Sequence, residues 1–282
     1  MIYFSNKMHD CHAFHIREDQ PIPEEFTVHA HMVRIEIFCV ISGKMKYHVE
    51  GNTYHAQPGD LLFSVPGETH RIELDPSVPY ERMVVIFDPK MLAGLDPEGS
   101  LTKPLLSKAP GVRNLFTAKE AEKISWAERM ARFMSPAPED RLNAIAGVSL
   151  ILQQMLHALA QSESQPVVEG TIVQLLRYIN DNLSHNLSLQ QLCDQFYISR
   201  AHLCRLFRSA TGTSVGNYLT TKRMLLARQL ICQGSKPTLI YQQCGYRDYS
   251  AFFRAYCKFH GHPPKEDQIP SPITNDDTVS LQ

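Results

Sequence analysis

The stretch LCDQFYISRAHLCRLFRSATGTS, residues 192–214, decides how this chain is read, because its pattern comes twice. IYQQCGYRDYSAFFRAYCKFHGHP, residues 240–263, repeats it. Leu192 matches Ile240 and Phe196 matches Cys244. Leu203, Arg205, Phe207 and Gly212 match Phe252, Arg254, Tyr256 and Gly261. The offset grows from 48 to 49, so the second copy carries one extra residue in its turn. Self-similarity of this kind marks a repeated supersecondary unit. Each copy reads as a short helix, a tight turn and a longer helix, that is, a helix-turn-helix. In the first, Ser188 with Gln191 caps a helix to about Phe196 and Tyr197-Ile198 turns; Ser199 then caps a helix that Gly212 ends. In the second, Thr238 caps, Gly245-Tyr246 turns, and Asp248 caps a helix ended by Gly261. A helix from Val215 to Cys232, with Leu219, Ala227, Leu230 and Ile231 on its apolar stripe, joins the two.

A helix that enters a major groove needs a buried apolar face and an outer face of base- and phosphate-seeking side chains. Leu203, Leu206 and Phe207 supply the inner face of the first long helix, leaving Ser199, Arg200, His202 and Arg205 outside. Phe252, Phe253 and Tyr256 do the same in the second, leaving Arg247, Tyr249, Ser250 and Arg254. Arg binds guanine bidentately, while Ser, Tyr and His reach bases or phosphates. Arg208, Lys222, Arg223 and Lys258 are expected on phosphate.

Charge supports this division. The 282 residues carry a net charge of −1, yet residues 171–268 hold 12 Lys/Arg against 5 Asp/Glu, a net of +7. The remainder holds 16 basic and 24 acidic residues. A basic third on an acidic remainder points to double-stranded DNA on one side only. The seven cysteines, Cys11, Cys39, Cys193, Cys204, Cys232, Cys244 and Cys257, are odd in number and form no C-x-x-C pair. Reduced, buried thiols of a cytoplasmic protein are expected. No apolar run approaches the roughly 18 residues of a membrane span, so no membrane partner is expected.

Residues 1 to about 90 read as strands: RIEIFCVI, SGKMKYHVEGNTYHAQPGDLLFSVPGETHRIEL and ERMVVIF, with turns at Gly51-Asn52 and Pro58-Gly59. Their number and spacing indicate a barrel or jelly roll. Near Thr117 the register becomes helical. Thr117 and Glu120 form a capping box for AKEAEKISWAERMARFM, whose stripe is Ile124, Ala127, Ala131 and Met134. A longer helix follows from about Glu139 to Gln161. Leu142, Ile145, Ser149, Leu152, Leu156 and Leu159 are spaced as a coiled-coil seam, with Val148, Ile151 and Met155 as a second line. One line is expected on the domain and the seam on a second copy; the alternative is that both are internal core. Residues 161–170 read as a linker. The polar tail 269–282 is expected to be disordered.

At SRAHLCRLFRSATGTS and GYRDYSAFFRAYCKFHGHPP the C-terminal hundred residues resemble the DNA-binding domain of AraC-type transcriptional regulators. The resemblance implies a sequence-specific, ligand-responsive regulator whose two reading helices enter successive major grooves. RNA polymerase is a candidate partner. The chain departs from the family at three places. Tyr241 stands where a small residue is usual, Pro237 replaces an apolar residue, and PPKEDQ lacks the closing Tyr-Arg. These departures bear on the second unit's packing, and looser binding to DNA, or reliance on DNA flexibility in place of base contacts, is expected of it.

Upstream, His29-x-His31-x4-Glu36-x6-Gly43 resembles the first cupin motif. Gly59-x5-Val65-x-Gly67-x2-His70 resembles the second, with Val65 where Pro is usual and Leu74 where Asn is usual. His29, His31, Glu36 and His70 match cupin metal positions, and such a donor set suits a divalent first-row metal. In AraC-type regulators a cupin-like barrel commonly serves as a small-molecule sensor; the resemblance makes a sugar or related metabolite a candidate effector, no residue here selects it, and aromatic amines, bile-type ligands or no ligand stay open. No cofactor is then required and no catalysis is expected. Arg34, Phe38, Tyr47 and Phe63 are further candidates to line the pocket, with ordinary core packing the favoured role for Phe38 and Phe63. Two main readings stay open: a ligand-sensing regulator, and a metal-dependent cupin enzyme or metal/redox sensor fused to a DNA-binding domain; a ligand-independent architectural DNA binder is a minor third. The expected architecture is two-domain α+β. A cupin-like barrel with dimerisation helices (about 117–161) occupies residues 1–165, and an all-α double helix-turn-helix domain occupies residues 166–268.

Overall fold

The computed structural model describes residues 2–7, 11–18, 28–75, 77–120, 140–161, 170–268 and 278–280. They form two compact units. The first holds Met1–Phe26 and Val33–Val167; the second holds Val168–Gln282 with Thr27–Met32.

The strands are β1 (Ile2–Lys7), β2 (Cys11–Glu18), β3 (His29–His31), β4 (Ile35–Ser42), β5 (Met45–Val49), β6 (Asn52–Ala56), β7 (Leu61–Ser64), β8 (His70–Leu74), β9 (Tyr80–Phe87) and β10 (Leu115–Phe116). A short helix, α1 (Lys103–Leu106), precedes β10, and α2 (Asp140–Gln161) follows it. In the first unit one antiparallel sheet runs β1-β2-β9-β4-β7-β10. Facing it, β5 pairs with β6 on one side and β8 on the other. This is a two-sheet sandwich of the jelly-roll kind.

Strand β4 explains the layering. Its run IEIFCV is buried throughout, so the strand is covered on both faces. Phe38 and Val40 point between the sheets and join Tyr47, Val49, Leu62, Ile72 and Val84. Ile35, Ile37 and Cys39 point the other way and join Phe63, Phe87 and Phe116 under α2. Phe63 stacks on Phe116 at 5.7 Å, on the helix side of the sheet. It is therefore core packing, the role the sequence favours for it over lining the pocket.

The same packing corrects the seam on α2. Leu152 is wholly buried in the first unit's own core beside Ala144, Val148, Ile151 and Met155, with Ile145, Leu156 and Leu159 partly buried against it. Of the proposed seam only Leu142 is open, at 74% exposure. Both apolar lines thus face inward along most of the helix, because the outer face of the β4 sheet needs that much cover. Glu120 reaches back to the Thr117 N–H at 2.8 Å, as a capping box requires. The helix expected beyond it, with Ile124, Ala127, Ala131 and Met134, lies outside the described residues, as does most of the linker.

The second unit is helical: α3 (Thr171–Asp181), α4 (Leu189–Phe196), α5 (Arg200–Thr211), α6 (Val215–Cys232), α7 (Pro237–Ile240) and α8 (Tyr249–His260). β11 (Thr278–Ser280) pairs antiparallel with β3, so part of the tail expected to be disordered is a strand. Two cores divide the helices. Leu176, Leu192, Leu203, Phe207 and Tyr218 form one. Met224, Ile231, Ile240, Cys244, Phe252 and Tyr256 form the other. The repeat pairs Leu203/Phe252 and Phe207/Tyr256 are all wholly buried. Among the described residues no helix is long and apolar enough to cross a membrane.

Candidate nucleic-acid interface and buried polar site

The two long helices of the repeat begin and end as their sequences dictate. Ser199 Oγ accepts from the His202 N–H at 3.3 Å, and Asp248 Oδ1 from the Ala251 N–H at 2.7 Å. Gly212 and Gly261 terminate α5 and α8 in the left-handed region, at φ 73° and 77°. Ahead of α5, Ser188 and Gln191 complete a full capping box on α4. Thr238 is not a cap: α7 starts on Pro237 after Lys236, whose side chain makes no capping bond.

With Leu203 and Phe207 inside, α5 leaves Arg200, His202, Arg205 and Arg208 exposed, next to exposed Ser199. With Phe252 and Tyr256 inside, α8 leaves Ser250, Arg254 and Lys258 exposed, next to exposed Arg247. Each reading helix therefore carries cations and hydroxyl or imidazole groups on its outer face. Tyr249 is half-buried, packed among Tyr241, Phe252 and Phe253 with ring centroids 6.0–6.4 Å apart. It supports the helix as much as it faces outward. Phe253, expected inside, is 37% exposed. Cys204 and Cys232 are exposed as well, against the expectation of buried thiols. Burial pushes the Cys244 thiol up to about 12.

Two expected phosphate ligands are committed elsewhere. Lys222 is buried with its Nζ 5.2 Å over the Tyr218 ring. Arg223 donates to the Leu183 and His185 carbonyls. The three departures of the second unit are each packed in the structure. Tyr241 packs edge-on to Tyr249, Pro237 is buried, and Asp267 of PPKEDQ accepts from Tyr256 and Arg228. Tyr197, which the sequence marked only as a turn, is 95% exposed at φ 54°.

In the first unit, β4 and β8 bring Glu36 and His70 together, both buried, with Nε2 and Oε2 2.9 Å apart. His70 Nδ1 lies 3.0 Å from the Glu68 carbonyl. Both ring nitrogens thus face acceptors, which an imidazolium satisfies. Burial alone would lower the His70 pKa, but the bond to Glu36 and its charge outweigh burial and the net shift is upward. Tyr47 lies across from the His70 ring at 5.7 Å. Burial first, then the charges of Glu36 and Glu68, raise the Tyr47 hydroxyl well above its ordinary value, so it stays a protonated donor. Phe38 packs edge-on to Tyr47 at 5.3 Å, and Arg34 is half-buried just before β4. The other two cupin-motif histidines, His29 and His31, stand on β3 with ring centroids 5.5 Å apart.

Glu68 was not found from the sequence. Its carboxylate is 2% exposed and takes four donors: the Val65 N–H (3.0 Å), the Gly111 N–H (2.7 Å), Asn114 Nδ2 (2.7 Å) and Lys108 Nζ. Arg113 in the same segment donates to the Leu159 carbonyl on α2 at 3.3 Å. Hydrogen bonds therefore run from Glu36 through His70 and Glu68 to Gly111 and Asn114, and the backbone of residues 111–114 carries Arg113, which bonds α2. A separate cleft of about 790 Å³ opens at the far end of β5 and β8, with Met45, Ala56 and Leu74 at its apolar base and Lys44, Lys46 and Glu73 around it. None of the residues nominated from the sequence line it.

Known proteins share both halves of this arrangement. Residues 16–179 match the AraC-like ligand binding domain family, and residues 192–268 match a helix-turn-helix domain family. The arabinose operon regulatory protein of Salmonella typhimurium is 24% identical over 232 residues, covering 80% of this chain and 80% of that one. The multiple antibiotic resistance protein MarA of Escherichia coli is 30% identical over 95 residues, 33% of this chain and 75% of MarA. A crystal structure of ToxT from Vibrio cholerae aligns over 92% of this chain and 97% of that one, with 12% identity and a TM-score of 0.37.

Proposed function

The chain belongs to the AraC-type family of DNA-binding transcription regulators with an N-terminal ligand-binding domain, and from that premise we propose how it works. A small hydroxylated metabolite, a sugar or a close relative, is held between the sheets of the first unit by Glu36 and His70. The buried hydroxyls of Tyr47, Ser64 and Tyr80 are its neighbours. The chain acts as a cytoplasmic homodimer, regulating rather than turning over its ligand. α5 and α8 read adjacent major grooves, and RNA polymerase is the downstream partner. The observation that carries this reading is the pair of capped helices with matched buried faces and exposed Arg205 and Arg254. Ligand binding at Glu36–His70 alters the bonds through Glu68 and Arg113 to α2. A coupling free energy between the two sites follows, equal in both directions.

The test is a thermal-shift screen of sugars and related polyols on wild type and Glu36→Gln, followed by DNA binding with and without each hit. A sugar that stabilises wild type but not Glu36→Gln, and changes DNA affinity, supports the reading. Hits that are insensitive to Glu36→Gln move the effector elsewhere, with the 790 Å³ cleft as the first alternative.

The cupin-motif spacing of the sequence favours a second reading, in which His29, His31, Glu36 and His70 hold a divalent first-row metal for sensing or structure. Elemental mass spectrometry of protein purified without a metal-affinity tag tests it. About one metal per chain, lost in His31→Ala, supports a metal centre. Metal at background in both proteins removes it.

A further inference from the structure

Arg223 stands on α6, the helix that joins the two reading units, and its guanidinium is fixed from three sides. Nε donates to the Leu183 carbonyl at 2.9 Å and Nη2 to the His185 carbonyl at 2.7 Å. Its Cζ lies 5.8 Å from the centre of the Tyr246 ring. Leu183 packs in the core of the first reading unit and Tyr246 in the core of the second. Gly245, next to Tyr246, sits at φ +75°. A Cβ there would lie 2.3 Å from the Leu183 carbonyl oxygen and 2.5 Å from Arg223 Nε and Cζ. The turn directly ahead of α8 thus meets the loop directly ahead of α4 on one guanidinium, at a distance only glycine allows.

We propose that Arg223 is a positioning residue for DNA reading, setting the separation and rotation of α5 relative to α8. A planar fork with fixed donor directions satisfies both carbonyls at once and still offers a face to Tyr246, which a lysine ammonium does not. Helices that dock in successive grooves must be spaced by about one turn, roughly 34 Å. A joint that holds one angle between the units therefore selects one spacing of the two half-sites. The inference rests on the two-groove reading above and deepens it.

The experiment is selection from a random-sequence 30-base-pair duplex library by the full chain and by Arg223→Ala, Arg223→Lys and Gly245→Ala, followed by sequencing. Circular dichroism melts check folding of each variant. Affinities for the selected site and for unrelated DNA are then measured across salt concentrations. Wild type is expected to enrich two sub-sites at one spacing. The alanine variants should keep both sub-sites but broaden their spacing. They should lose about tenfold or more in affinity for the wild-type site, with unrelated DNA and the salt slope unchanged. Arg223→Lys should fall between them.

If wild type enriches no two-part site, the two-groove reading fails and this inference with it. If wild type does so and Arg223→Ala keeps the same spacing, the inference alone fails. A salt slope lower by about one in Arg223→Ala would make Arg223 a phosphate contact instead. Equal weakening on every sequence would reduce it to a stability element.

Discussion

Arg228 and Asp267 form an ion pair, Nε to Oδ1 at 3.1 Å, between the helix joining the reading units and the turn that closes the second. The other Asp267 oxygen accepts from the Tyr256 hydroxyl on α8. One carboxylate therefore ties α6, α8 and residues 264–268 together, where the family resemblance led one to look for a Tyr-Arg pair. Both partners of the ion pair are largely buried, so removing one takes a close opposite charge from the other at low dielectric. Asp267→Ala is expected to destabilise the second unit by about 2–4 kcal/mol. Loss of specific DNA binding at 37 °C should accompany it, while the first unit's melt is unchanged. Differential scanning calorimetry resolving the two units checks this, and an unmoved upper and lower transition would exclude the clasp.

His260, at the end of α8, supplies a pH dependence. Its imidazole is packed on Tyr256 at 4.2 Å, and burial first, then Arg228, hold its pKa down to about 4. The unfolded chain titrates near 6.5, so below that pH the unfolded state binds more protons than the folded one. The contribution of His260 is therefore complete above pH 6.5 and is lost as the pH falls towards 4. Over that window it amounts to about 3 kcal/mol at most. Urea midpoints of the second unit should drop between pH 7 and pH 5, and the drop should be smaller in His260→Gln. Equal slopes in the two proteins would remove His260 from the account.

Much of this was legible in the residues. Leu203, Phe207, Phe252 and Tyr256 declare themselves through a repeat whose period is the supersecondary unit itself. Ser199, Asp248, Gly212 and Gly261 act through local backbone chemistry that needs no tertiary context. Glu36 and His70 were found by spacing within their motifs. What failed was whatever depends on a neighbour distant in sequence. The period of Leu152 is the same whether it meets a second copy or the back of β4, and only the sheet decides. Arg223 and Lys222 look like phosphate ligands until the carbonyls and the ring they meet are known. Glu68 was invisible because its partners Lys108, Gly111 and Asn114 lie 40–46 residues away, in a segment without periodicity.

The burial on α2 changes what a dimerisation mutant should look like. Leu152→Asp places a charge in the core of the first unit and is expected to cost about 4 kcal/mol or more, unfolding that unit rather than separating two copies. The open apolar side chains on α2 are Leu142 at 74% and Leu150 at 43% exposure, with Ala146 also exposed between them. Their spacing of four residues puts them on one face. Leu142→Lys with Leu150→Lys should leave the circular dichroism spectrum intact and convert a dimer to a monomer in sedimentation. A dimer that survives the double change with its fold intact would move the contact off this face.

Base reading is the last prediction, and it separates α5 from α8. Arg205 and Arg254 are repeat equivalents, both exposed and both one turn into their helices. A guanidinium there is placed to take guanine O6 and N7 together, a pairing worth about 1–3 kcal/mol of discrimination. Arg205→Ala and Arg254→Ala should each cost that amount on the selected site and relax the preference at one base position, in different half-sites. Lys258→Ala, at the far end of α8, should instead weaken all sequences alike and lower the salt slope by about one. Quantitative binding of base-substituted duplexes decides between these roles. Uniform weakening by Arg205→Ala across all bases would make it a phosphate contact and leave the reading to Arg200 and His202, the exposed polar side chains in the first turn of α5.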